Sequence, residues 1–217
     1  MILTTAKKQS FDYELIACCW HEAGHVICNL HNYMGVDHVS VMTLKDKEGI
    51  TQYNIIYTSP ILDEATVKTM VLLDLQGIYA GLLAEKIYYK EVCGSDKFPM
   101  HLKSGSSEDM KNAYDLIRKY KLAEPGQQTI ALKKQIQKDV NQLLYDNWDA
   151  IKAVAHALYQ KKKLNFKDLK HILTRKTDHN DFWKDKFNKI KIIHNEINPP
   201  ELVKWKRIIH SNIYLNI

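Results

Sequence analysis

The chain is poor in the residues that make tight turns: 217 residues contain 8 Gly and 5 Pro. Gly and Pro punctuate turn-rich sheets, so their scarcity argues against an all-β fold and for long helices. The four cysteines, Cys18, Cys19, Cys28 and Cys93, include no CxxC pair, which argues against a structural zinc knuckle. The longest segments free of Lys, Arg, Asp and Glu are 14 residues, 23–36 and 49–62, whereas a membrane-crossing helix takes about 20 apolar residues. The first residues lack the continuous apolar stretch of a signal peptide. No Gly-Lys dipeptide occurs, so there is no Walker-type phosphate loop. These absences set the expectation of a soluble, reduced, cytoplasmic protein with no membrane insertion and no ATP use.

What is present is ordinary in bulk and uneven in detail. Apolar residues make up 45% and charged residues 26%, the balance of a globular protein able to bury a core without disulfides. The net charge is +6. Residues 161–217 hold 14 Lys+Arg against 6 Asp+Glu, and residues 1–160 hold 17 against 19. The basic character therefore belongs to the tail. A solvated surface is the plain reading, and recruitment of an acidic partner is the other. Aromatics there (Phe182, Trp183, Phe187, Trp205, Tyr214) are interspersed with lysine, but no nucleic-acid motif appears, so nucleic acid is disfavoured as a partner.

The patterning predicts a mainly α protein with a small β-sheet. Residues 10–31 read as a helix capped by Ser10, with Leu15, Ile16, Cys19, Ala23, Val26, Ile27 and Leu30 at helical spacing. Residues 37–58 read as strands punctuated by a turn at Lys45–Gly49. A long apolar helix is expected from Glu64 to Tyr89, with Gly77 and Gly81 four apart so that another backbone can approach. After a loop over 93–107, Ser106 starts a helix through Lys121. One or two helices fill 128–162, and Asn165 caps a short one to Leu173. Beyond Thr174 the pattern weakens to a polar stretch ending in Pro199-Pro200, then a short amphipathic piece with Leu202, Trp205, Ile208 and Ile209. The expected division is a domain over 1–174 and a basic extension over 175–217.

The chemistry concentrates in His21-Glu22-Ala23-Gly24-His25, an HExxH run. On a helix, positions i and i+4 share a face, so both imidazoles reach one metal ion, and Glu22 is placed to take a proton from water on that metal and pass it to a leaving amine. Independent draws from this composition give such a run in about 2% of chains. The small Ala23 and Gly24 suit a helix passing close to other backbone. Cys18 and Cys28 lie on the same stripe, but ten helical residues span about 15 Å, so they read as core. A catalytic zinc site takes three protein ligands. The third ligand stays open among Asp109, Glu85, Glu91, Glu108 and His101, because Ser106-x-x-Asp109 also reads as a capping box.

Several segments together resemble the peptidase domain of the FtsH-type membrane-anchored AAA zinc metalloproteases. They are HEAGH on an early helix, Gly49-Ile50-Thr51 after a strand, a long helix ending Ala84-Glu85, and Ser104-Gly105-Ser106-Ser107-Glu108-Asp109-Met110 opening a helix. The stretches Asn147-Trp148-Asp149-Ala150-Ile151 through Leu164 and Asn165 to Leu173 are similar to that family's closing helices. The likeness spans roughly residues 12–174. It implies a zincin-like helical peptidase domain, with zinc held by His21, His25 and Asp109. The chain departs from the family in lacking an ATPase and a membrane anchor, and in carrying Ala80-Gly81-Leu82 where the family has Gly-Gly-Arg. The hexameric, ATP-fed arrangement is therefore not implied, and 175–217 has no counterpart.

The expected function is a stand-alone, ATP-independent zinc peptidase acting on peptides or unfolded proteins, alone or with a separate ATPase. An edge strand within 37–58 would pair with an extended substrate. The alternative is a catalytically silent, zinc-stabilised binding module acting through its basic tail. Glu22 separates the two, because a structural zinc needs no general base.

Overall fold

Helix α1 (Leu3–His31) carries both histidines of the motif and touches most other elements of the protein. In this computed structural model the described residues are 3–41, 49–54, 64–91, 94, 103–175, 177–197 and 207–208. After α1 come β1 (Gly35–Val41), β2 (Gly49–Asn54), α2 (Glu64–Glu91), α3 (Lys103–Lys119), α4 (Gln127–Asp146), α5 (Trp148–Lys161), β3 (Lys163–Asn165), α6 (Phe166–Arg175), α7 (Asn180–Ile197) and β4 (Arg207–Ile208). The architecture is mainly α with a small antiparallel sheet ordered β3-β1-β2-β4. The Lys45–Glu48 part of the expected turn, residues 55–60 and Pro199-Pro200 lie outside the described residues.

Two helix starts differ from expectation. Ser10 is inside α1 rather than at its cap, because Ala6, Lys7, Lys8 and Gln9 are good helix formers and carry the helix through it. Ser106 is likewise inside α3, which begins at Lys103. Other starts follow the sequence. Asn165 and Asp168 form a reciprocal cap: the Asp168 N–H donates to Asn165 Oδ1 at 3.0 Å, and the Asn165 N–H donates to Asp168 Oδ2 at 3.1 Å. Residues 128–162 resolve into two helices broken at Asn147, whose side-chain amide donates to the Leu143 carbonyl at 2.8 Å.

The core forms around α1. Ala23, Val26, Ile27, Cys28 and Leu30 are wholly buried there, against Leu75, Ala80 and Ala84 of α2 and Ile151, Val154 and Leu158 of α5. Just before the motif, Trp20 stacks between Tyr88 of α2 and Trp148 of α5, with ring centroids 4.8 Å away on each side. Offset stacks of this kind add stability beyond area burial, and this one fixes α1 next to His21. Helix α2 has the length and apolarity of a membrane-crossing helix, but 61% of its most apolar stretch is buried inside the protein, as befits a core helix. Cys19 and Cys28 are buried and Cys18 is half-buried, all without disulfides, in keeping with core packing. Burial pushes the thiols of Cys19 and Cys28 up to about 12.

The boundary expected at 174 is not a packing boundary. Helix α7 lies within 175–217, yet its Trp183, Phe187 and Ile190 are buried in the same core. They recur at i, i+4 and i+7, one face of a helix. Lys186, on the same helix, is buried too. Its ammonium donates to the His31 carbonyl at 2.7 Å and lies 3.7 Å from the Tyr33 ring centroid. A cation there meets the negative end of the α1 dipole and an aromatic face together. Removing 177–217 would thus take core with it. Phe187→Ala is expected to cost about 3–5 kcal/mol in urea unfolding. The exposed Lys184→Ala on the same helix should stay within about 0.5 kcal/mol. Equal, small effects would show that α7 is not part of the cooperative unit.

Candidate metal centre

Helices α1 and α2 run antiparallel with their closest approach at small residues. A Cβ added at Gly24 would meet the Ala80 carbonyl oxygen at 2.5 Å and the Ala84 Cβ at 2.6 Å. Only a residue without a side chain fits there, as the sequence led one to expect. Gly77 and Gly81 of α2 serve differently from expectation: side chains of α1, not backbone, approach them. The Asn29 amide lies against Gly77, and the imidazoles of His21 and His25 lie against Gly81.

The structure brings His21, His25 and Asp109 together, all three buried. His21 Nε2 lies 3.0 Å from Asp109 Oδ2 and 3.0 Å from His25 Nε2, and His25 Nε2 lies 3.4 Å from Asp109 Oδ2. A tetrahedral zinc with bonds of about 2.0–2.2 Å separates its ligand atoms by roughly 3.3 Å. The triangle therefore has the size of a ligand set. A Cβ on Gly81 would fall 2.5 Å from His25 Nε2 and 2.6 Å from His21 Nε2. The missing side chain leaves room beside both nitrogens for an ion.

The outer nitrogens are oriented from α2. His25 Nδ1–H donates to the Gly77 carbonyl at 2.7 Å, and His21 Nδ1 faces Glu85 Oε2 at 3.3 Å. With protons on both Nδ1 atoms, both Nε2 lone pairs and the Asp109 carboxylate point at one another. Such a convergence of acceptors calls for a cation, and hydrogen-bonding the outer nitrogen is how metal-bound imidazoles are usually held. The electrostatics agree. Burial works against charge on His21, but hydrogen bonds to Asp109 and Glu85 outweigh it and raise its pKa well above the ordinary value. Burial also lowers the pKa of His25, yet the charge and hydrogen bond of Asp109 bring it out raised. Burial would lift the Asp109 pKa, but His25 and His21 hold it well below the usual carboxylate range. The pocket is thus set to favour positive charge at its centre.

The competing candidates separate clearly. Asp109 lies in the second turn of α3, and with Ser106 inside the helix the capping-box reading loses its N-terminus. Glu85 is buried and faces the outer nitrogen of His21, outside the three-residue group. Glu91 is exposed at the end of α2, and Glu108 is half-buried beside Asp109, outside the three-residue group. His101 lies outside the described residues. Glu22 is buried, and its charge acts on both His21 and His25. The sequence reading missed that Gly77, Gly81 and Glu85 form one stripe. Their i, i+4, i+8 spacing on α2 was the available signal.

The group can hold a metal ion, and Gly81 offers the sharpest check. Gly81→Ala improves helix propensity by about 1 kcal/mol but places a methyl where the ion would sit. The expected outcome is a folded protein with normal helix content and about a 5- to 150-fold loss of divalent-metal affinity by titration calorimetry, given steric strain of about 1–3 kcal/mol. Unchanged affinity would show that the ion does not lie between these nitrogens. No protein-family model matches the chain and no curated protein matches it in sequence, so its function is argued from this geometry.

Proposed function

We propose that this chain is a zinc metallopeptidase domain that hydrolyses peptide bonds in peptides or unfolded proteins, with no ATP-binding step of its own. The observation that carries this reading is the buried meeting of His21, His25 and Asp109 with Glu22 beside them. Zinc held by these three residues would supply a Lewis acid that polarises the scissile carbonyl and acidifies water. Glu22 accepts the proton of the attacking water and delivers it to the departing amine. Asp109 contributes a negative ligand. Glu85 and the Gly77 carbonyl keep the imidazoles in the tautomer that offers Nε2. The resemblance to the FtsH-type peptidase domain supports the same residue roles.

A second reading follows from the way the site draws on three helices, with ligands from α1 and α3 and supporting groups from α2. A purely structural zinc in a binding module would tie those helices in the same way. Glu22→Gln separates the two. It keeps shape and hydrogen-bonding capacity while removing the base, so metal content and folding should stay normal while casein cleavage falls by about 10²–10⁴-fold. His21→Ala should instead lose metal and stability together. Wild-type protein that carries zinc yet cleaves no unfolded substrate would leave the binding module standing. Cleavage that requires ATP from this chain alone would contradict the proposal. Cleavage that requires an added ATPase would identify a partner.

A further inference from the structure

The positive charge of the protein is concentrated. Residues 152–175 hold seven Lys+Arg and one acid, Asp168, while the rest of the chain holds 24 of each sign. This segment comprises most of α5, β3 and all of α6, so two packed helices and the short strand between them carry an excess equal to that of the whole chain. In α6, Lys167, Lys170, His171 and Arg175 are exposed at i, i+3, i+4 and i+8, one face of the helix. Leu169, Ile172 and Leu173 on its other face are buried. Lys163 of β3 is exposed as well. Lys161 pairs with Asp168 at 2.9 Å. Among the described residues no carboxylate pairs with Lys163, Lys167, Lys170 or Arg175.

We propose that this basic face is a docking surface for acidic, unstructured polypeptide, which it recruits to the metal centre. An excess of one sign on one face steers molecules of the other sign toward it. The stripe from Lys167 to Arg175 spans about 12 Å, the length of about four residues of extended chain, so a run of Asp and Glu can lie along it. Nucleic acid fits less well. Within 152–175 the one exposed large aromatic is Tyr159, and the Lys162 ammonium lies over its ring, 4.4 Å from the centroid. A single ring already met by a lysine gives no platform for successive bases. The α6 N-terminus, where a phosphate would seat, is closed by the Asn165–Asp168 cap. A lipid surface calls for outward apolar groups beside the cations, and α6 turns its apolar residues inward. The face also adjoins the elements around the metal centre. β3 pairs with β1, and β1 and α5 both pack on α1. The charge of Lys162 acts on Cys19, one turn before Glu22. The docking itself stands apart from the peptidase reading, whereas its consequence for turnover rests on that reading.

The test uses the zinc-loaded chain in a Glu22→Gln background, which prevents turnover. The probe is a labelled, unstructured peptide of about 15 residues rich in Asp and Glu, read by fluorescence anisotropy. Its counterpart carries Asn and Gln at the same positions. The acidic peptide should bind about tenfold more tightly, and the gap should narrow as salt rises. Lys167→Glu, Lys170→Glu and Arg175→Glu together should remove that advantage, a loss of about tenfold from three exposed pairs of ordinary weight. All three residues are exposed, so circular dichroism should stay normal. Lys134→Glu, Lys138→Glu and Lys184→Glu change the net charge equally on other helices and should cost far less. Equal losses in the two triple variants, or equal binding of the two peptides, overturn the proposal. So does tighter binding of single-stranded DNA or phosphatidylserine vesicles than of the acidic peptide, lost in the α6 variant. With Glu22 restored, the α6 variant should raise KM for an acidic substrate with kcat unchanged. Docking without cleavage would sink the peptidase reading and leave the surface standing. Cleavage indifferent to substrate charge would do the reverse.

Discussion

The contact between α1 and α2 is the constraint on which the rest of the molecule depends. The two helices meet in opposite directions, so residues four apart on one face residues four apart on the other. His21 meets Glu85, His25 meets Gly81 and Gly77, and Asn29 meets Gly77. Gly24 sets the distance between them, because any side chain there strikes Ala80 and Ala84. Shifting either helix by one residue would rotate its stripe by about 100° and separate every one of these pairs. The site is therefore less a cluster of ligands than a register. Trp20, held between Tyr88 and Trp148 one residue before His21, keeps that register from rolling.

Charge supplies the second constraint. Asp109, Glu85 and Glu22 place three carboxyl groups, all buried, around two imidazoles. Fully ionised, with neutral imidazoles, such a cluster has no internal compensation, and uncompensated buried charge is strongly destabilising. Protons on the histidines relieve it, and their raised pKa values express that relief. A divalent cation relieves it more completely, because it accepts the lone pairs of His21, His25 and Asp109 at once. The packing that brings these groups together and the charge that opposes their meeting would be reconciled by such an ion.

Much of this was legible in the sequence, and the limits are informative. HExxH pointed to His21 and His25 because one short helical segment contains them, so spacing alone brings them together. Asp109 lies 84 residues beyond His25 in the sequence; local pattern gave it a competing role as a cap, and only the resemblance favoured ligation. Glu85 was visible as a candidate, but ligand and support differ by which carboxylate reaches the inner nitrogen, and that depends on helix register. The strand β3 was not foreseen, because three residues carry too little periodicity to read. Helix α7 was missed for a different reason. Trp183, Phe187 and Ile190 stand at helical spacing, but lysines and aspartates surround them. Average polarity over 176–200 hid a single apolar face. Lys186 was counted with the solvated charges although it is buried against α1.

Glu22 bears on why such a cluster would exist at all. An ion that served only to join three helices could be held by His21, His25 and Asp109, with Glu85 and the Gly77 carbonyl orienting the rings. Glu22 is a further buried carboxylate, outside the three-residue group. Glu22 sits one residue from His21 and acts electrostatically on both imidazoles. From there a carboxylate has one chemical use that its neighbours do not: to accept and return a proton beside the ion. On the peptidase reading proposed above, that is the use of Glu22; on the structural reading the ion itself calls for no such base.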